Sequence, residues 1–117
     1  MLTCNLIHHQ LCPLSRQIRI LLSEIGATFT LKREDYWLRR EELLQKSPFG
    51  LLPILELDNY KPIIGSYPII EFLNEQAEEF HLMPDNIVLK NEIRQQISWF
   101  NDKFYREVSK IIVDEKV

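Results

Sequence analysis

Between Leu2 and Lys32 the chain runs strand, helix, strand, and that order constrains everything after it. Leu2–His8 is short, apolar-rich and ends in polar residues, the pattern of a strand. Its positions do not alternate cleanly: Cys4, Leu6 and His8 stand against Asn5 and Ile7, which predicts burial on both faces. From Pro13 to Ile25, Leu14, Ile18, Leu21, Leu22 and Ile25 recur at helical spacing. Proline suits the first helical position, where its missing N–H would have no partner. Gly26 predicts a left-handed stop, and Thr28–Lys32 reads as a second strand. A strand, a helical crossover and a second strand predict parallel pairing with right-handed connection.

The following residues fill in a mixed sheet. Leu38–Lys46 predicts a short charged helix with Leu43 and Leu44 inward, broken by SPFG at 47–50. Pro53–Leu57 reads as a third strand, Asp58-Asn59 as a turn, and Lys61–Ile64 as a fourth strand. So short a connection makes the last two antiparallel, and Pro62 places the fourth at an edge or a strand start. A helix over 67–79 follows, with Ile69, Leu73 and Ala77 on one face and Ser66 as its expected N-cap. After a linker at 81–86, the residues Leu89, Ile93, Ile97, Phe100, Phe104, Val108 and Ile111 form one helical stripe. A helix over 87–113 would be roughly 40 Å long. A βαβ-α-ββα unit over 1–80 has a radius of gyration of only about 12 Å and cannot cover all of that stripe. Two explanations stay open: the stripe joins two copies, or it begins a second, all-helical domain over 87–117. The fold class is therefore α/β, followed by one long helix.

Composition removes several function classes. A net charge of −3 without a basic run argues against a sequence-independent nucleic-acid surface. No stretch approaches the ~18 apolar residues of a membrane span. MLTCNLIHHQ has neither the basic start nor the cleavage site of a secretory signal, so the expected compartment is the cytoplasm. Cys4 and Cys12 are too few for a disulfide framework or a four-cysteine zinc site. Two adjacent histidines without an acidic partner predict no metal centre.

Three short segments carry candidate chemistry. Cys12-Pro13 puts a thiol at a helix start, where free N–H groups and the helix dipole favour the reactive thiolate. The spacing Cys12-x-x-Ser15 leaves no second thiol at the resolving position. The plain alternative is a capping cysteine without chemistry. Leu52-Pro53 opens a strand after a glycine-containing loop; X–Pro is where cis peptides occur, and a free Leu52 backbone would pair with an extended ligand. An ordinary trans proline is the alternative. Ser66 and the adjacent N–H groups form an anion site or a simple cap. Cys4 reads as a buried strand residue. At most one of His8 and His9, which lie on opposite sides of the strand, can help ionise Cys12; the favoured alternative is a polar strand end. Asp35, Tyr36 and Trp37 form a site rim or a solvated loop, and Arg16 contributes positive potential or is simply exposed.

Taken together, strand–CPLSR–helix, SPFGLLPILEL and GSYPIIEFLNE resemble the N-terminal, thioredoxin-like domain of the cytosolic glutathione S-transferase superfamily. The resemblance covers about residues 3–80, and 87–113 resembles the first long helix of the superfamily's helical domain. The Cys-Pro-x-Ser motif is similar to that of omega-like and bacterial members. The resemblance implies glutathione as co-substrate and Cys12 as the nucleophile, or as the group that steadies the glutathione thiolate. It implies a cis Pro53, Leu52 paired through its backbone to the cysteinyl part of glutathione, and Ser66 on the γ-glutamyl carboxylate. Two positions depart from the pattern. Leu51 stands where many members have a basic residue, and Gly65 where most have an acid that helps hold the γ-glutamyl amine. The implied activity is glutathione-dependent thiol transfer or conjugation. The apolar stripe on the last helix predicts a homodimer or poor solubility. The competing reading is a non-catalytic binding module of the same fold, similar to stringent-starvation-protein-like regulators.

Overall fold

The computed structural model describes residues 2–76 and 82–116. The chain forms two compact units, divided between Gln76 and Ala77. In the first, strand β1 (Thr3–His8) leads to helix α1 (Pro13–Glu24), then β2 (Thr28–Arg33). A 3₁₀ turn (Tyr36–Leu38) and a short helix α2 (Glu41–Lys46) precede β3 (Ile54–Glu56), β4 (Ile63–Ile64) and helix α3 (Ser66–Gln76). The sheet order is β2-β1-β3-β4. Strands β1 and β2 are parallel, with Leu6 beside Leu31. Both β1–β3 and β3–β4 are antiparallel. This is the βαβ-α-ββα order and pairing expected from the sequence.

The central strands β1 and β3 are buried on both faces, as the mixed pattern of β1 predicts, whereas the edge strand β2 is largely exposed. Leu6 and Leu55 are register partners and have no exposure; Ile18 and Leu22 of α1 and Ile69 and Leu73 of α3 are equally buried. Ile7 and Ile54, one residue along, point the other way. They form a second cluster with Cys12, Leu43 and Leu52, against which Leu14, Tyr36 and Ile64 pack. Helix α1 ends in a Schellman motif: Ala27 N–H donates to Leu22 C=O (3.0 Å) and Gly26 N–H to Ser23 C=O (3.2 Å). That turn needs φ of +71° at residue 26, which glycine adopts without a steric penalty.

Several boundaries differ from the sequence reading, each for a local reason. The helix expected over 38–46 is interrupted. Arg39 is left-handed (φ +47°), and Arg40 is the extended residue before α2. Arg40 also makes a two-pronged ion pair with Glu34, Nε to Oε2 at 3.0 Å and Nη2 to Oε1 at 2.7 Å, which closes this loop. Strand β4 starts after Pro62, which has no N–H for the ladder. The helix expected over 67–79 begins at Ser66 and is described as far as Gln76; residues 77–79 lie outside the described residues, as do the expected boundary at 80 and residue 81 of the linker.

The second unit is helical from Ile87 onward. Asn86 caps helix α4 (Ile87–Ser98), its Oδ1 accepting from the N–H groups of Val88 (2.9 Å) and Leu89 (3.2 Å). Trp99–Ser109 then widens into a π-helical segment before α5 (Lys110–Lys116). An aromatic cluster lies within this segment. Trp99 and Phe104 are five apart, the π-helical hydrogen-bond spacing, and their rings lie 5.4 Å apart; Phe100 completes the cluster, 4.8 Å from Trp99 and 5.7 Å from Phe104.

Candidate functional site

Cys12 is the N-cap of α1. Its backbone is extended, and its Sγ accepts the Ser15 N–H at 3.4 Å. The Cys12 N–H donates to His9 C=O (3.0 Å) and its C=O accepts from Arg16 (3.1 Å). The sulfur is thus aimed at the free N–H groups of the first turn, because a short loop bends back from β1 before Pro13 starts the helix. Cys12 is 6% exposed, so access to it is narrow. Cys4 is buried within β1, and burial pushes its thiol up.

Leu52 packs in the same cluster as Cys12. The turn before it is tied down by Ser47, whose C=O accepts Gly50 N–H (2.8 Å) and whose Oγ accepts Leu51 N–H (3.0 Å). The Leu52-Pro53 peptide is cis. The Leu52 N–H and C=O make no hydrogen bond to another described residue. Pro53 C=O accepts Gly65 N–H at 2.9 Å and so joins this turn to the start of α3. Gly65 has φ +95°. A Cβ there would meet only Pro68 Cδ at 3.7 Å, so the backbone conformation, rather than space, favours glycine.

Ser66 corrects one expectation. It is the first helical residue, and Gly65 supplies the capping carbonyl, accepting Ile69 N–H at 3.3 Å. The Ser66 hydroxyl turns sideways and donates to Gln17 Oε1 on α1 at 3.0 Å. Sequence reasoning does not find Gln17. Its only signal there is its place on the same helix as Cys12, five residues on.

Neither histidine hydrogen-bonds to Cys12 among the described residues, so the less favoured reading, a Cys–His pair, is not realised. His9 Nδ1 accepts Leu11 N–H at 3.1 Å, so a neutral imidazole carries its proton on Nε2. Asp35 Oδ1 lies 3.3 Å from Nε2, close enough for attraction but out of line for a hydrogen bond. The ring is held edge-on to Tyr36 (5.9 Å) and Trp37 (4.9 Å). The segment 35–37 is therefore a packed turn over His9, and Tyr36 reaches the Cys12 cluster. His8 is buried on the other side, its Nδ1 without a partner; burial, then the charges of Arg19, His9 and Arg33, push it below its ordinary value. Arg16 is exposed, and Leu51 is exposed beside Leu52. Among the described residues no group of three His, Cys, Asp or Glu could hold a metal, and no helix is long and apolar enough to cross a membrane.

Comparison with known proteins gives a consistent assignment. The family described as glutathione S-transferase, N-terminal domain, matches residues 11–76, over half of the chain. FtsZ-localized protein A of Caulobacter vibrioides is 30% identical over 116 residues, which cover 97% of this chain and 51% of that protein. A stringent starvation protein A homolog of Coxiella burnetii is 29% identical over 101 residues, 86% of this chain and 47% of the relative. The crystal structure of a glutathione S-transferase from Sinorhizobium meliloti 1021 matches with a TM-score of 0.92 at 30% identity, covering 98% of this chain and 52% of that one. The chain thus spans about half the length of these relatives. The thioredoxin-like order of its elements and the match over residues 11–76 agree: this chain belongs to the glutathione S-transferase family through the N-terminal domain.

Proposed function

We propose that the chain carries glutathione-dependent thiol chemistry at Cys12. The single observation that supports it most is the Cys12 sulfur at the N-cap of α1, accepting the Ser15 N–H, in one cluster with Leu52. In the proposed reaction the Cys12 thiolate attacks the glutathione sulfur of a mixed disulfide between glutathione and another thiol. A Cys12–glutathione disulfide forms, the old S–S bond breaks, and the other thiol leaves with the displaced electron pair. Position 15 is serine, so a second glutathione thiolate attacks the mixed disulfide, frees Cys12 and leaves as oxidised glutathione. Leu52 pairs its backbone with the cysteinyl part of the ligand, beside Pro53, and Ser66 takes the γ-glutamyl carboxylate. The assembly proposed is a homodimer in the cytoplasm.

The test is intact mass after incubation with oxidised glutathione, for wild type and Cys12→Ser. We expect one glutathione adduct on the wild type, lost in the variant, with Cys4 unmodified. No adduct, or an equal adduct on Cys12→Ser, would overturn the enzymatic reading.

A second reading is a binding module that has kept the fold. It is favoured by the relatives called FtsZ-localized protein A and stringent starvation protein A homolog, and by Gly65, which offers no carboxylate to a ligand amine. An unreactive Cys12 would support it.

A further inference from the structure

The Ser66 hydroxyl is already spent. It donates its one proton to Gln17 Oε1 at 3.0 Å, across 49 residues of sequence, and Ser66 is 4% exposed. Resting on the glutathione reading above, the γ-glutamyl carboxylate needs that same proton. A carboxylate only accepts hydrogen bonds, and a serine hydroxyl has one hydrogen to give. While Gln17 holds it, Ser66 has no hydrogen to give the ligand.

A glutamine side chain can release it without any change of charge. A half-turn of the amide exchanges Oε1 for Nε2, which donates to Ser66 Oγ where Oε1 had accepted. The Ser66 proton then swings to the ligand and makes a charge-assisted bond, stronger than the neutral one it replaces. We propose that Gln17 is a positioning residue that sets the direction of the Ser66 hydroxyl, acceptor to it in the empty site and donor to it in the filled one, and so gives the site its preference for thiols bearing a carboxylate at the α3 end. Glutamate cannot play this part, because an ionised carboxylate accepts in both states and adds a negative charge beside the ligand's own.

The experiment is titration calorimetry of wild type, Gln17→Glu and Gln17→Met with reduced glutathione and with cysteinylglycine, which lacks the γ-glutamyl carboxylate. Wild type is expected to bind glutathione more tightly than cysteinylglycine. Gln17→Glu should weaken glutathione by about tenfold or more and leave cysteinylglycine unchanged. Gln17→Met frees the Ser66 proton but loses its guidance, and should cost glutathione only a few-fold. If Gln17→Glu does not fold, by its melting curve, the selective loss in Gln17→Met carries the test. An unchanged ratio of the two affinities in the variants, or equal losses for both thiols, overturns the role of Gln17 while the glutathione reading stands. Wild type binding neither thiol overturns both.

Discussion

The two units use their apolar residues in opposite ways. The first buries them completely: Leu6, Ile18, Leu22, Leu55, Ile69 and Leu73 have no exposure. In the second, Met83 and Val113 are the buried apolar residues among those described, whereas Leu89, Trp99, Phe100, Val108, Ile111 and Ile112 are all exposed. Both units have helices with a regular apolar stripe. Periodicity therefore specifies that a helix has an apolar face, and the surrounding elements decide whether anything covers it. A sheet with helices α1 and α3 against it gives the first unit such cover.

The contrast can be broken or sharpened by measurement. The largest effect is expected from Leu22→Ala in α1. A fully buried leucine cut to alanine should lower unfolding free energy by about 2–5 kcal/mol, read by denaturant titration. A smaller effect is expected from pH, and it acts on the first unit. His8 is held below its ordinary value by burial and neighbouring positive charge, so below about pH 6.5 the unfolded chain takes up a proton that the folded chain resists. Stability should fall as pH drops through that range, and His8→Gln should flatten the fall between about pH 7 and 5.5. Glu56 titrates lower. Burial alone would push its carboxyl up, but hydrogen bonds from Lys46 (3.0 Å) and Lys32 (3.2 Å) outweigh burial and hold it below the ordinary range. Its contribution is present above the unfolded value of about 4.3 and disappears as pH falls through the lower folded value. The smallest effect is expected from Ile111→Ala on the exposed stripe, within about 0.5 kcal/mol. A loss there as large as that from Leu22→Ala would break the comparison, because it would mean that the stripe is covered in solution.

Much of the first unit is legible in its residues alone. Pro13 and Gly26 bracket α1 because each restricts or frees one backbone torsion, a property of the residue itself. The same holds for Pro62 at the start of β4. The α2 region is less legible. Arg39 and Arg40 favour a helix locally, while the Glu34–Arg40 ion pair and the left-handed Arg39 impose a loop. Ser66 lies one position away from its expected role: its N-cap preference is real, but the Gly65–Pro53 hydrogen bond starts the helix a residue earlier. The π-helical segment Trp99–Ser109 has no signal in the apolar spacing, which reads as one continuous helical stripe.

The sequence by itself determined the order of elements, the parallel first pair of strands and the placement of Cys12 at a helix start. Each follows from short-range torsional and capping preferences or from the handedness of one crossover. Only the tertiary structure decided that Ser66 meets Gln17, that Leu52 packs in one cluster with Cys12, and that His9 faces Asp35 instead of the thiol. Those are contacts between side chains brought together by the fold. Their directions depend on packing, which no local preference encodes.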